Sequence, residues 1–139
     1  MQTFLPYPSF IETARCLDNK RLGKQRVECI QIIKALSDPT YGWQSHPAVK
    51  MWRGYERALI QYGTIICNEW IDRGFNDTCR EKLAAMFKNF DPSTHVPPFW
   101  WCSNALHSSH RSNLLRKDQV YYSKFNWTEP SNLPYVWPV

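Results

Sequence analysis

The chain has 139 residues, 17 Lys plus Arg against 12 Asp plus Glu, a formal charge of +5, and 43% hydrophobic residues. That length fits one domain, and the apolar share suffices for a core, which excludes global disorder. No run approaches the ~20 apolar residues of a membrane span. The start, Met1-Gln2-Thr3-Phe4-Leu5-Pro6, lacks the basic and apolar regions of a signal peptide, so a cytoplasmic or nucleoid-associated protein is expected.

Helical spacing recurs along the chain and strict two-residue alternation is scarce, which predicts an all-α fold with Pro- and aromatic-rich ends. Ser9-Phe10-Ile11-Glu12 is a capping box that opens a short helix near residue 10. Asp18 is the expected cap of a second helix over about 19–36, ended by Ser37-Asp38-Pro39. His46-Pro47 opens a third, on which Trp52, Tyr55, Leu59, Tyr62, Ile66 and Trp70 form an apolar stripe up to Gly74. Thr78-Cys79-Arg80-Glu81 reads as a second capping box, leading to Leu83, Met86, Phe87 and Phe90. A Pro- and aromatic-rich loop follows from Asp91 to Trp101. Ser103 then caps a helix to about 117, and coil is expected from Tyr121 onward.

The five cysteines are scattered, odd in number and free of any CxxC spacing, which predicts reduced thiols. Positive charge is concentrated. Arg15, Lys20, Arg21, Lys24 and Arg26 face a single acid, Asp18, so this short stretch carries +4 of the net +5. Such a patch attracts polyanions, nucleic acid above all, although a solvated basic face reads the same way.

On the second helix Arg21, Lys24, Gln25 and Glu28 share one face, with Arg26 one position round. A carboxylate ringed by cations stays ionised. It can stabilise a developing cation or move a proton while the cations hold phosphates. That combination suits base excision from DNA, where the sugar becomes cationic as the base leaves. A surface ion-pair face is the plain alternative. His107, His110 and Arg111 share a helix face that could meet phosphate or solvent. His46 is either a helix-entry residue or part of the DNA surface. Cys102, His107 and His110, with His95, could hold zinc, but their spacing is not a standard one. Aromatics of the loops, Phe99-Trp100-Trp101 and Trp127, can stack on unpaired bases or pack on the body. Walker, dinucleotide, GxSxG and HExxH motifs do not occur.

Leu17-Asp18, Arg21-Leu22, Arg26 and Glu28, then Gly42, His46-Pro47 and Arg73-Gly74-Phe75, resemble the pyrimidine-dimer DNA glycosylase (endonuclease V-like) family. The similarity runs to about Asn76, with a weaker echo from Ala105-Leu106-His107 to Leu115. The start, Met1 to Tyr7, and the end, Leu133 to Pro138, resemble a less characterised bacterial and viral branch. The resemblance implies one compact helical domain over 1–139 and a glycosylase with linked AP-lyase activity. It implies attack on C1′ of the damaged nucleotide by the N-terminal α-amine, giving an imine, with a helix glutamate assisting and arginines holding the backbone. Glu28 is the counterpart of that glutamate and Arg26 of the arginine before it, although Val27 stands between them here. Gln2 is too large to allow removal of Met1, which makes the Met1 amine the expected nucleophile; Lys20 or Lys24 could serve only if desolvated.

The expected reaction needs no metal or other cofactor. The expected partner is duplex DNA carrying a lesion or modified base, bound by a monomer through Arg15, Lys20, Arg21, Lys24, Gln25, His46, His107, His110 and Arg111, away from membranes. Two rivals stand beside it: a DNA-binding module of the same fold without catalysis, and a small metal-dependent hydrolase built on Cys102, His107 and His110.

Overall fold

A computed structural model describes all residues from Met1 to Val139. It is all-α: α1 (Phe10–Cys16), α2 (Asn19–Ser37), α3 (Pro47–Lys50), α4 (Glu56–Asp72), α5 (Cys79–Phe87), α6 (Asn104–Lys117) and α7 (Gln119–Tyr122), with 3-10 turns at Pro92–Thr94 and Ser123–Phe125. The core is built where α4 packs on α1, α2 and α5. Leu22, Cys29 and Ile33 of α2 meet Leu59, Tyr62 and Ile66 of α4 there, all fully buried. Gly63 permits the close approach, since a Cβ at that position would lie 2.8 Å from Leu83 Cδ1 and 3.2 Å from Cys29 Cβ.

Ser9 caps α1 by accepting from Glu12 N, and Ser103 caps α6 by accepting from Leu106 N. Two other expected caps differ. Asp18 stands at the start of α2, but its carboxylate is taken by Arg21 at 3.2 Å and by the Tyr122 hydroxyl. Thr78 makes no cap, because Asp77 accepts from both Cys79 N (3.1 Å) and Arg80 N (2.9 Å).

The long third helix expected from Pro47 to Trp70 is two helices. Residues 51–55 turn the chain between them, and Gly54 adopts a φ of 91°, open to glycine and strained for other residues. The stripe survives the break, with Trp52 and Tyr62 fully buried. Trp70 lies at the core margin instead, stacked on Phe75 with ring centroids 4.1 Å apart. The tail is not coil from Tyr121: α7 and the following turn bury Tyr122, on which Trp127 stacks. Only beyond Asn126 does it run irregularly along α6, held by Ser109, Ser112 and Asn113. All five cysteines are free thiols, four of them buried.

Candidate active site

The extended stretch before α1 is the most deeply placed irregular segment of the protein. Gln2, Thr3, Phe4 and Leu5 are each at least nine-tenths buried. An extended chain has no internal hydrogen bonds, so its buried polar groups need partners elsewhere. They find them on three helices and the turn before α4. Thr3 Oγ1 accepts from Trp52 Nε1 at 3.0 Å, and Phe4 O from the Tyr62 hydroxyl at 2.7 Å. Leu5 N donates to His110 Nδ1 at 2.8 Å, His107 Nδ1 donates to Leu5 O at 2.7 Å, and Arg111 donates to Pro6 O at 2.7 Å.

Gln25 of α2 completes the clamp. Its Nε2 donates to Gln2 O at 2.8 Å and to Glu28 Oε2 at 2.9 Å. Its Oε1 accepts from Phe4 N at 3.0 Å and lies 2.9 Å from the Tyr62 hydroxyl, whose one proton is shared with Phe4 O. Both donor hydrogens and both acceptor sites of the amide are therefore used.

This clamp sets the start of the chain against Glu28. The Gln2 amide lies 3.4 Å from Glu28 Oε2, and Met1 and Glu28 border the same cleft of about 370 Å³. Glu28 is only 7% exposed. Its other oxygen is 3.9 Å from Lys24 Nζ. The cleft rim carries Lys20, Arg21 and Lys24 from α2 and Lys117 from the last turn of α6. Lys117 is held below the ordinary lysine value by burial first, then by the charges of Arg21, Arg116 and Lys24. Tyr135 of the tail closes one side, its phenol pushed up chiefly by burial. His46 caps α3, its Nδ1 accepting from Ala48 N at 3.0 Å, with Trp43 and Trp137 edge-on to the ring. Burial, and then the charge of the Met1 amine, holds this imidazole below its usual value.

Several residues expected at the DNA surface are placed otherwise. His107 and His110 are 2% and 0% exposed, so they hold the N-terminal segment and reach no phosphate. Burial, followed for His110 by the charge of His107, takes the His110 imidazole down to about 3. Arg111 spends its guanidinium on Pro6 O, Ser108 and Glu129. Gln25, at 1% exposure, is an internal hub. Arg26 points away from the cleft, pairing with Asp77 at 2.6 Å and lying 4.4 Å over the Trp70 ring. Arg15 is exposed but borders other hollows.

The hydrolase set is dispersed as well. Cys102 is exposed, His95 is bonded to Gln61, and His107 and His110 face Leu5. No three His, Cys, Asp or Glu side chains are grouped to hold a metal ion. Of the loop aromatics, Trp100 and Trp127 pack inward, while Phe99 is 76% exposed. Sequence reasoning missed Gln2, Lys117, Tyr135 and Tyr62 as cleft-forming or cleft-supporting residues. Only Lys117 had a signal, its place among the basic residues in the last turn of α6.

No helix is long and apolar enough to cross a membrane. No curated protein and no solved structure matches the chain. A family model described as pyrimidine dimer DNA glycosylase matches residues 1–83, more than half of the 139-residue chain. That span takes in the buried N-terminal segment together with α2 and α4, and the chain belongs to the pyrimidine dimer DNA glycosylase family.

Proposed function

We propose that this chain excises a damaged or modified pyrimidine, by family a pyrimidine dimer, from duplex DNA and then cleaves the strand as an AP lyase through an imine to the Met1 amine. The observation that carries the reading is that Met1 and Glu28 border one cation-rimmed cleft. A positive rim attracts the phosphate backbone, and a damaged pair is the one whose nucleotide is most cheaply extruded.

The neutral amine attacks C1′ while the bond from C1′ to the base breaks with its electron pair leaving on the base. Glu28 takes a proton from the new ammonium and returns one to the departing base. The nitrogen lone pair then forms the C1′=N bond as the C1′–O4′ bond breaks, its electron pair and a proton going to O4′, which gives the protonated imine. Removal of a C2′ proton then expels the 3′ phosphate and cuts the strand. Lys20, Arg21, Lys24 and Lys117 hold flanking phosphates, and Gln25 keeps carboxylate and N-terminal segment in register. The whole chain, 1–139, acts as one domain, since α6 and the tail beyond the matched span grip the segment that carries the amine, and it acts as a monomer.

Support for the unbroken catalytic reading comes from the register of α2. Val27 turns outward at 45% exposure, so its insertion leaves Glu28 facing the N-terminal segment. The test is incubation with duplexes carrying a thymine dimer or an abasic site in the presence of borohydride. A covalent adduct that maps to Met1 and is lost on blocking the α-amine is expected. Neither adduct nor strand cleavage on any lesion would leave a binding module only. Intact mass establishes whether Met1 is retained and free.

A further inference from the structure

Three non-glycine residues hold the left-handed backbone: Cys102 at φ 68°, Asn126 at 58° and Trp43 at 72°. Asparagine visits that region readily, whereas a bulky ring there is strained and persists only because its surroundings hold it. Trp43 sits in the loop between α2 and α3, and the loop is firmly built. Gln44 Nε2 lies 2.7 Å from Ala35 O, 2.9 Å from Asp38 O and 3.1 Å from Tyr41 O, and His46 N donates to Trp43 O at 2.9 Å. The strain does not serve burial, since Trp43 is 56% exposed. The ring is instead the outer end of an aromatic row. Ring centroids lie 5.8 Å apart from Trp43 to His46, 5.8 Å from His46 to Trp137 and 5.6 Å from Trp137 to Tyr135. Tyr135 borders the cation-rimmed cleft, so the row leads from the cleft to an open tryptophan.

The geometry points to Trp43 as a stacking platform for a nucleobase that has lost its pairing partner. This deepens the excision reading above and rests on its DNA partner. An indole is flat and carries no charge, so it suits the face of a base, whereas phosphates fall to the cations of the rim. In a paired duplex each base face is covered by its neighbours. Where pairing is lost, a face comes free at modest cost. A ring held out on a stiff loop meets that face without first being ordered. The aromatic row joins this platform to the cleft, so one DNA molecule can lay its backbone on Lys20, Arg21, Lys24 and Lys117 while a base rests on Trp43. Every base has a π-face, so the contact answers to disrupted pairing and not to sequence. Trp43 makes and breaks no covalent bond; it is a binding residue beside the chemistry.

The test compares two duplexes by fluorescence anisotropy, one with a bulged adenosine and one with a bulged tetrahydrofuran abasic analogue in its place. The two share backbone and charge and differ only by the base. Wild type is expected to bind the adenosine duplex about tenfold more tightly, the scale of one base stacked on an aromatic ring. In Trp43→Ala the ratio falls to about one. It does so too in Trp43→Gly, which removes the ring and suits the backbone. Trp43→Phe keeps most of it. Both affinities are read on the same protein, so a folding defect cancels in the ratio. The salt dependence of binding stays unchanged, because no phosphate contact is lost. The inference is overturned if wild type shows no preference, if the Ala or Gly variant keeps it, or if Phe loses it as fully as Ala. A changed salt slope would also overturn it, by assigning the loss to phosphates. Borohydride trapping of wild type on a natural abasic duplex is read separately. Absence of the adduct with the ring-dependent preference present would remove the imine mechanism and leave the assignment of Trp43 standing. Failure of wild type to bind either duplex would remove the DNA reading and this inference with it.

Discussion

The backbone amide of Leu5 donates to Nδ1 of His110 at 2.8 Å, across 105 residues of chain. The bond requires a bare Nδ1, so the ring stays neutral in the fold, and burial takes its value down to about 3. The same cause lowers His107, partly opposed by its bond to Leu5 O. In the unfolded chain both titrate near 6.5. At His110 the unfolded chain therefore binds a proton between about 6.5 and 3 that the folded one refuses. Stability is fully present above 6.5 and is lost as the pH falls through that window. For His110 the slope is up to about 1.4 kcal/mol per pH unit across that window, and His107 contributes in the same direction. Urea midpoints at pH 7.5, 6 and 4.5 should fall steadily. His110→Gln should flatten the curve, and parallel curves for the two proteins would show that this imidazole is not the source.

Glu28→Gln separates chemistry from architecture. A glutamine there still offers an oxygen to Gln25 Nε2, now 2.9 Å from the carboxylate, so the fold should hold within about 1 kcal/mol. It cannot carry protons. Single-turnover cleavage of an abasic duplex should fall at least about 100-fold, the usual share of a general acid-base group. Binding of the tetrahydrofuran duplex should not weaken. Cleavage within threefold of wild type would remove Glu28 from the reaction.

The grouping that is legible in the sequence is the periodic one. Arg21, Lys24, Gln25 and Glu28 share a face in the structure because a regular helix turns their spacing into a common direction, and all four border the cleft. The N-terminal segment has no such period. Its partners lie on Trp52, Tyr62, His107 and His110, far along the chain, and nothing local announces them. The same gap explains the misplaced histidines. A His and Arg face on a helix reads alike whether it meets a phosphate or a backbone carbonyl, since burial is decided by what packs over it. The break in the third helix was hidden by an apolar stripe that continues through residues 51–55, although Gly54 was there to be read. Gln25 looked like a polar surface residue because its neighbours in sequence are charged, while its neighbours in space are Phe4 and Tyr62.

Arg26 and Lys24 stand two positions apart and should behave oppositely. The Arg26 side chain is 15% exposed and the side chain of its partner Asp77 1%. Burial raises the Asp77 carboxyl, but hydrogen bonds from Arg80 N, Arg26 and Cys79 N outweigh it and hold the group below the usual range. Arg26→Ala should therefore cost about 2 kcal/mol of stability and leave the salt dependence of DNA binding unchanged. Lys24 is 74% exposed and its replacement by Ala should cost almost no stability. It should weaken binding and reduce the slope of log affinity against log salt by about one. Anisotropy over a salt series and urea titrations distinguish the two. The reverse pattern would return Arg26 to the DNA surface.

The clamp on the N-terminal segment should fail first at Gln25. Gln25→Leu preserves volume but strips Phe4 N and Gln2 O of their acceptor and donor at a residue only 1% exposed. Two buried groups left unpaired should cost about 2–4 kcal/mol. Tyr62→Phe removes only the shared hydroxyl and should cost about 1 kcal/mol, because Gln25 still holds Phe4 N. Hydrogen exchange gives the local readout. In Gln25→Leu the Phe4 and Leu5 amides should exchange far faster than those of α4, because the segment detaches from a core that remains folded. The same variant should lose borohydride trapping, since a segment no longer fixed cannot keep Met1 in the cleft that Glu28 borders. In Tyr62→Phe the trapping should survive. If Phe4 keeps its protection in Gln25→Leu, the bonds from Trp52, Tyr62 and α6 hold the segment without it and Gln25 is not the hub of the site.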